Sequence, residues 1–250
     1  MGWRGWMGAA LAAGSLMAQE ASPIGGYVQL MTNYVGRGLA QSVGQPSVQA
    51  ELSGETKNGV WGFLDATSIN WVDQLYPGDG VSLELDAVLG YQRRMGELTW
   101  KVGVLRLQFP GRYVPQDPPV EEPHTTEVFG RLYWRRFYGK LNVSTTNAFG
   151  TPGSKGSFYL DLGAAQPLAE AWTLELHLGR KETRGHDPAT GRPNSRFDYW
   201  DYKVGLTWAP RRDLSLALAR TWTTADPVYF TLNGYRVGGP HLALTLQKTF

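Results

Sequence analysis

The stretch Trp172-Thr173-Leu174-Glu175-Leu176-His177-Leu178 decides the fold class, because large apolar residues occupy every even position and polar residues every odd one. A β-strand points alternate side chains to opposite faces, so this stretch predicts a strand with one apolar and one polar face. The same alternation runs through residues 81–92, 158–162 and 214–219. Such segments, bounded by Gly, Pro, Asn and Asp, recur about twelve times from residue 27 onward, which indicates an all-β protein.

The connections between the predicted strands alternate in length. Long loops are predicted near 36–46, 69–80, 109–124, 147–156, 183–196 and 224–239, and short turns near 54–58, 93–96, 136–138, 166–170 and 209–212. Outer-membrane barrels have long extracellular loops and short periplasmic turns. We therefore predict a single up-and-down antiparallel transmembrane β-barrel of about 12 strands with both termini periplasmic. An immunoglobulin-like sandwich would show the same strands, but it has no reason to sort its loops by length.

Two predicted strands interrupt this regularity, because the alternation slips phase within residues 59–68 and within residues 97–108. Along residues 97–108 the alternation slips at Val104-Leu105, which predicts a bulge or a shifted register.

Composition narrows the functional classes. The formal net charge is +2 and only 18% of residues are charged, so the basic stripe of a nucleic-acid-binding protein is missing. The absence of cysteine excludes a disulfide framework, a Cys-based zinc site and a thiol nucleophile. Outside the N-terminus there is no run of about 18 apolar residues, so a membrane would be crossed by strands. The 10 Trp and 12 Tyr are typical of the aromatic girdles of a membrane barrel.

The two ends of the sequence resemble targeting signals. Arg4 and the apolar stretch 6–17 predict a secretory signal peptide over residues 1–18, followed by an outer-membrane barrel domain over 19–250. The last predicted strand alternates up to Phe250, and such a terminal aromatic resembles the signal by which outer-membrane proteins are recognised for insertion. We therefore expect the cell outer membrane as the location, and outer-membrane lipid and the barrel-assembly machinery as partners.

A more specific resemblance lies in the first predicted strand and loop. The segment Thr32-Asn33-Tyr34-Val35-Gly36-Arg37-Gly38-Leu39-Ala40-Gln41-Ser42 is followed by Gly44-Gln45-Pro46, and later by Leu83-Glu84-Leu85-Asp86. Over about residues 26–92 the chain resembles the TorF-type porin family of Gram-negative outer-membrane proteins. The resemblance implies an outer-membrane porin-like protein, and it implies neither a substrate nor site residues.

The polar face of each predicted strand would line the lumen. The predicted pore-lining residues are Glu84, Asp86, Lys101, Arg131, Arg135, Lys140, Asp161, Glu175, Asp201 and Lys203. Glu51 and Glu127 lie on the same polar face. Arg131, Arg135 and Lys140 would form a basic wall flanked by acidic regions, and such opposed charges orient polar solutes and set ion preference.

These residues predict a porin-like channel for passive diffusion of small hydrophilic solutes. The alternative is that the charged side chains pair with one another and plug the lumen. Eight strands leave an interior filled by side chains and sixteen leave a channel, so twelve lies between the two cases. A non-conducting structural or adhesive barrel would follow from a plugged lumen. The acidic, Pro-rich loop 109–124 could fold inward as a constriction or stand outside as a stiff extracellular loop.

Enzymatic chemistry is poorly supported by the residues. A lipid hydrolase of this architecture needs a Ser activated by a His, and none of the 4 His lies close to a Ser in a His-x-Ser arrangement on a lipid face. His186-Asp187 offers too few ligands for zinc, while Asp73, Asp79 or Asp226 could hold calcium only weakly. We predict no catalytic residues, no resident metal and no cofactor.

Overall fold

Twelve long strands pair antiparallel and close into one barrel in a computed structural model that describes residues 24–76, 78–113 and 121–250. In chain order the strands are β1 (Ile24–Met31), β2 (Val35–Gly36), β3 (Leu39–Ala40), β4 (Ser47–Glu55), β5 (Val60–Ser68), β6 (Leu83–Met95), β7 (Leu98–Gln108), β8 (Thr125–Trp134), β9 (Phe137–Ser144), β10 (Phe158–Ala169), β11 (Trp172–Glu182), β12 (Tyr199–Arg211), β13 (Leu214–Thr223), β14 (Thr231–Leu232), β15 (Tyr235–Arg236) and β16 (His241–Thr249). The pairs β2–β3 and β14–β15 are short hairpins outside the barrel ladder. The predicted all-β, up-and-down barrel of twelve strands is confirmed. The predicted signal peptide lies outside the described residues.

In the described part of the chain, helical structure is limited to the connections between strands. One short helix, α1 (Trp71–Leu75), follows β5, and two 3-10 turns span Ala148–Gly150 and Asn194–Phe197. Among the described residues, no helix is long and apolar enough to cross a membrane.

The barrel closes between its first and last strands. Tyr27 of β1 is opposite Thr249 of β16, and Met31 is opposite Thr245. Gly26 and Phe250 exchange two backbone hydrogen bonds of 3.1 and 3.0 Å. The start of β1 and the end of β16 therefore lie at the same rim, as an even number of strands requires.

Connection lengths alternate around the barrel. Long connections span 32–46, 69–82, 109–124, 145–157, 183–198 and 224–240, and short ones span 56–59, 96–97, 135–136, 170–171 and 212–213. All the long connections lie at one rim and all the short ones at the other. The predicted order is confirmed, although β6, β10 and β12 extend further toward the short turns than alternation alone indicates. The assignment of the short-turn rim to the periplasm stays a prediction.

The outward face is apolar and carries aromatic side chains near both rims. Close to the short turns lie the contacting pairs Tyr91–Trp100, Trp134–Phe137 and Trp172–Trp208, and toward the long loops lie Trp200 and the pair Tyr202–Trp222. Exposed Leu and Val side chains fill the band between them. Two aromatic girdles around an apolar band are the surface that a transmembrane barrel presents to lipid.

The predicted bulge at Val104-Leu105 is wrong. β7 pairs with β6 and β8 without a register shift there, and Leu105 lies opposite Val88 and Glu127. The alternation slips because the interior itself is apolar at this point. Leu105 belongs to a buried cluster, here called the apolar cluster, with the members Trp61, Phe63, Ile69, Val72, Tyr76, Val81, Val88, Leu107, Phe109 and Phe129. Residues of α1, of the connection before β6 and of the connection after β7 thus fold into the barrel and pack against β5 to β8.

Candidate functional site

Charged side chains on the inward face lie in cross-strand rows. Glu51 of β4, Asp65 of β5 and Asp86 of β6 are direct neighbours in register. Lys101 of β7, Arg131 of β8 and Lys140 of β9 form a second row, here called the basic row, and Lys140 is opposite Asp161 of β10. The interior therefore carries an acidic side on β4 to β6 and a basic side on β7 to β9.

Nine of the ten predicted pore-lining residues point into the barrel. Those buried or half-buried on the inward face are Glu84, Asp86, Lys101, Arg131, Lys140, Asp161, Glu175, Asp201 and Lys203. Arg135 is the correction: β8 ends at Trp134, and Arg135 lies in the two-residue turn to β9 with a φ of 55°. Its side chain is 58% exposed, and its Nε pairs with a carboxylate oxygen of Glu97 at 2.8 Å. Alternation predicted that Arg135 belongs to the basic wall, because odd and even positions show which face a residue would occupy but not where the strand ends.

Four carboxylates gather on β4 to β6, and we call Glu51, Asp65, Glu84 and Asp86 the acidic group. Thr67 donates a hydrogen bond of 2.8 Å to Asp65 Oδ1, and the hydroxyl of Tyr34 lies 3.4 Å from Glu84 Oε1. Two of the four members are thus reached by neutral hydroxyl groups. Sequence reasoning missed Asp65 because the alternation in residues 59–68 is blurred by the neighbouring apolar cluster.

His177 of β11 bridges two carboxylates on the opposite side of the lumen. Its Nδ1 lies 2.9 Å from Asp161 Oδ1, and its Nε2 lies 2.6 Å from Asp201 Oδ1. Only a doubly protonated imidazolium donates to both oxygens. Lys140 Nζ lies 3.4 Å from Asp161 Oδ2, and the Tyr159 hydroxyl donates to Asp201 at 3.0 Å. This region is therefore an internally paired network, and the groups around His177 are carboxylates and phenols, not a serine.

The connection after β1 folds into the barrel instead of standing outside it. β2 and β3 form a hairpin whose two turn residues, Arg37 and Gly38, have φ values of 49° and 81°. Positive φ at both central positions is the conformation of a type I′ turn. A β-carbon at position 38 would overlap the side chain of Asp201, so only glycine fits where the turn touches the β12 wall. We call residues 34–41 the inner hairpin.

Arg37, at the tip of the inner hairpin, reaches across the lumen. Its Nη1 and Nη2 donate to the two oxygens of Glu127 at 2.8 and 2.7 Å, and Asn142 Nδ2 donates to the same carboxylate at 2.8 Å. Asn142 belongs to β9, which is six strands from β1 in either direction around the barrel. The inner hairpin thus spans the interior from wall to wall.

The ion pair at the tip is deeply placed. The side chain of Arg37 is 19% exposed and that of Glu127 only 1%. The guanidinium also lies 5.5 and 5.2 Å from the ring centres of Phe149 and Tyr159. Burial opposes the charged form of Arg37, but the Glu127 carboxylate more than offsets this effect, so the pKa of Arg37 lies above its ordinary value.

Backbone contacts hold the inner hairpin at several points. Ala40 N–H donates to the Val237 carbonyl (2.9 Å), and the Tyr199 hydroxyl donates to the Arg37 carbonyl (2.9 Å). At the base, Tyr34 N–H donates to Ser42 Oγ at 2.9 Å. The sequence predicts an outer loop for this segment. The one sequence feature that indicates a hairpin here is the Arg37-Gly38 pair, which lies within the segment that carries the TorF-type resemblance.

The loop 109–124 is also anchored inward at its two described ends. Phe109 is fully buried in the apolar cluster, and its N–H donates to His124 Nδ1 at 3.1 Å. Burial lowers the pKa of His124, although Glu122 beside Nε2 works in the opposite direction. The sequence left open whether this loop folds inward or stands outside the barrel. Its two described ends pack inward, and residues 114–120 lie outside the described part.

Metal chemistry has no assembled donor set in the part of the chain that the structure describes. Within residues 24–76, 78–113 and 121–250, no group of three or more His, Asp or Glu side chains is placed to hold one metal ion.

The family described as "Bacterial protein of unknown function (Gcw_chp)" matches residues 17–250. The chain belongs to this family. The match does not confirm the narrower TorF-type assignment. No curated protein matches the sequence of this Gcw_chp member.

Solved structures with the same fold are outer-membrane porins and channels. The KdgM porin in complex with disordered oligogalacturonate has a TM-score of 0.53 at 8% identity, covering 91% of this chain and 99% of that one. The NanC porin has a TM-score of 0.53 at 9% identity, covering 91% and 98%. An outer membrane channel from Pseudomonas putida F1 has a TM-score of 0.53 at 12% identity, covering 96% and 100%. At these identities the likeness shows that this Gcw_chp chain has the barrel fold of such channels.

Proposed function

We propose that this chain is an outer-membrane porin-like channel for passive diffusion of small hydrophilic solutes. The observation that carries the proposal is a closed barrel with an apolar, girdled outer face and an inner face on which charged residues follow one another across nine neighbouring strands, β4 to β12. A solvated path needs such a face, because charges inside a dry barrel are costly unless they are paired. The KdgM and NanC folds support the same class and the same membrane.

The charge distribution creates an electric field perpendicular to the axis of the channel. The acidic group lies on β4 to β6 and the basic row on β7 to β9, so the two charge signs face the lumen from adjoining sectors. Such a transverse field orients dipolar solutes and sets ion preference. Arg131 is central to it, because Lys101 and Lys140 flank it directly.

The inner hairpin is the constriction of this channel. It joins opposite walls through the Arg37–Glu127 pair and so divides the path on the long-loop side. In this proposal, solutes pass beside the inner hairpin or when its tip leaves Glu127.

A second candidate is a non-conducting structural or adhesive barrel. The apolar cluster favours it, because Phe109, Ile69, Val72 and Val81 are completely buried inside the barrel, where they form a packed core. Together with the inner hairpin, this core narrows the space left for solvent.

Planar-bilayer recordings of the refolded chain separate the two candidates. We expect discrete conductance steps whose cation-to-anion preference rises in Arg131→Glu, because this change places a carboxylate in the basic row. Arg135→Glu is the matched control: it makes the same charge change at an exposed turn and leaves the preference unchanged. Folding of each variant is checked by heat-modifiable gel migration. Silence of the folded wild-type chain across a wide voltage range favours the non-conducting barrel.

A further inference from the structure

The acidic group faces the lumen without a cation paired to it. Within the described residues, no Lys, Arg or His lies within ion-pair distance of Glu51, Asp65, Glu84 or Asp86. Glu51, Asp65 and Glu84 are nearly inaccessible, with 4%, 5% and 2% of their surface exposed. Three members are direct cross-strand neighbours, an arrangement that is destabilising for like charges.

Each member also has a buried oxygen that receives no hydrogen bond from residues 24–76, 78–113 and 121–250. These oxygens are Glu51 Oε2, Asp65 Oδ2, Glu84 Oε2 and Asp86 Oδ1. The hydrogen bonds that the group does receive come from neutral donors such as Thr67. Buried polar atoms are nearly always satisfied, so four adjacent free acceptors mark a place for a donor from outside the chain.

The cations of the lumen contact groups other than the acidic group. Arg131 and Lys181 have no ion pair among the described residues, and they lie over the rings of Phe129 and Phe149, 4.4 and 5.5 Å from the ring centres. Arg37, Lys140 and Lys203 each form an ion pair with a carboxylate outside the acidic group. Lys101 Nζ lies 4.3 Å from the ring centre of Trp61, and this ring takes up part of its charge. The acidic group is therefore a set of lumenal carboxylates that no cation of the described residues reaches at ion-pair distance.

The spacing of the group selects the chemistry of its ligand. Glu51, Asp65 and Asp86 lie on three adjacent strands about 4.8 Å apart, so the row extends over about 10 Å. One metal ion gathers its oxygens at about 2–2.6 Å and does not satisfy such a row. An ammonium gathers its acceptors around one nitrogen, whereas a guanidinium spreads five donors over three nitrogens in a plane and so reaches acceptors that are further apart. We propose that the acidic group binds the guanidinium group of an organic cation. This inference rests on the proposed channel and names its solute class.

Isothermal titration of the full mature chain in detergent tests the proposal, with methylguanidinium chloride as the probe. We expect saturable binding that weakens at least about tenfold in Asp65→Asn, because a charged hydrogen bond is replaced by a neutral one. Glu175→Gln is the matched control, because this lumenal carboxylate already pairs with Lys203, at 3.4 Å. Binding in this control should equal that of the wild-type chain. Glu84→Gln gives a second variant if Asp65→Asn fails to fold.

Three results overturn the inference: absence of methylguanidinium binding to the folded wild-type chain, equal binding in Asp65→Asn and Glu84→Gln, or a calcium titration that shows binding at these residues where methylguanidinium does not bind. Titration does not require conduction. Binding in a chain that is silent in bilayers would support the site and reject the channel, whereas conduction without binding would reject the site alone.

Discussion

Replacing Arg37 by Met removes the charge that holds the tip of the inner hairpin while preserving most of its side-chain length. Among the described residues, the variant leaves Glu127, whose side chain is 1% exposed, with Asn142 as its side-chain donor. Removing one partner of a buried ion pair costs about 3–5 kcal/mol, because the other charge stays desolvated. When the inner hairpin leaves the lumen, Glu127 regains water, so this cost falls on the closed state alone. The closed-to-open ratio should therefore drop by roughly a hundredfold to a few thousandfold.

Thiol labelling measures this ratio directly, because the chain has no native cysteine. Ala40 of the inner hairpin is fully buried, so Ala40→Cys reports hairpin opening to a water-soluble maleimide. We expect labelling to accelerate strongly when Arg37→Met is added, and single-channel open probability to rise with it. Arg135→Met is the matched control, because its pair with Glu97 has a similar distance of 2.8 Å but is exposed. An exposed pair contributes about 0–1 kcal/mol, so labelling should hardly change. Equal labelling rates in Arg37→Met and Arg135→Met would refute the reasoning.

Three further predictions concern other parts of the barrel. Gly38→Ala should open the inner hairpin, because backbone strain destabilises the closed state by about 1–3 kcal/mol and the new β-carbon overlaps Asp201. Gly96→Ala is the control in the same labelling assay. Gly96 also has a positive φ, of 62°, but no atom lies near its β-carbon, so labelling should stay unchanged. Phe250→Ser should slow insertion by purified barrel-assembly machinery in liposomes, because the terminal aromatic resembles the insertion signal and its side chain is 71% exposed. An unchanged insertion rate would contradict this role. The anchoring of Phe109 by His124 should weaken as the pH falls below the ordinary His pKa of 6.5. Burial lowers the pKa of His124 in the folded chain, so its contribution is present above that pH and is lost as the folded ring protonates. The hydrogen-exchange protection factor of the Phe109 amide, taken relative to the intrinsic rate at each pH, should therefore fall in acid. A protection factor that falls no more than it does in His124→Gln would count against this prediction.

The faces of the strands were predictable from single residues and their neighbours. Leu176 is 45% exposed on the outer surface while Glu175 is 7% exposed inside, as their alternation indicates. This works because a strand side chain has only two directions to point, and because lipid and lumen differ in polarity. The strand number could likewise be predicted from the lengths of the connections, because each connection is visible as a local break in the alternation.

Strand ends and interior contacts needed the tertiary structure. Arg131 and Arg135 have the same parity, yet one lies in the basic row and the other in a turn, because hydrogen bonding to β9 decides where β8 ends. Leu105 breaks the alternation because the interior beside it is a packed apolar cluster, which its own strand does not reveal.

The sequence by itself determined the barrel, its two faces and the grouping of long and short connections at opposite rims. Each follows from short-range alternation of apolar and polar residues, because lipid and water select opposite faces of a strand. Only the tertiary structure decided what occupies the interior. Arg37 and Glu127 are 90 residues apart in sequence and meet because ring closure places β8 and β9 opposite β1. Likewise, Glu51, Asp65 and Asp86 form one row only because the registers of β4, β5 and β6 align them. Pairing across a closed ring depends on register and closure, and neither is encoded within a single strand.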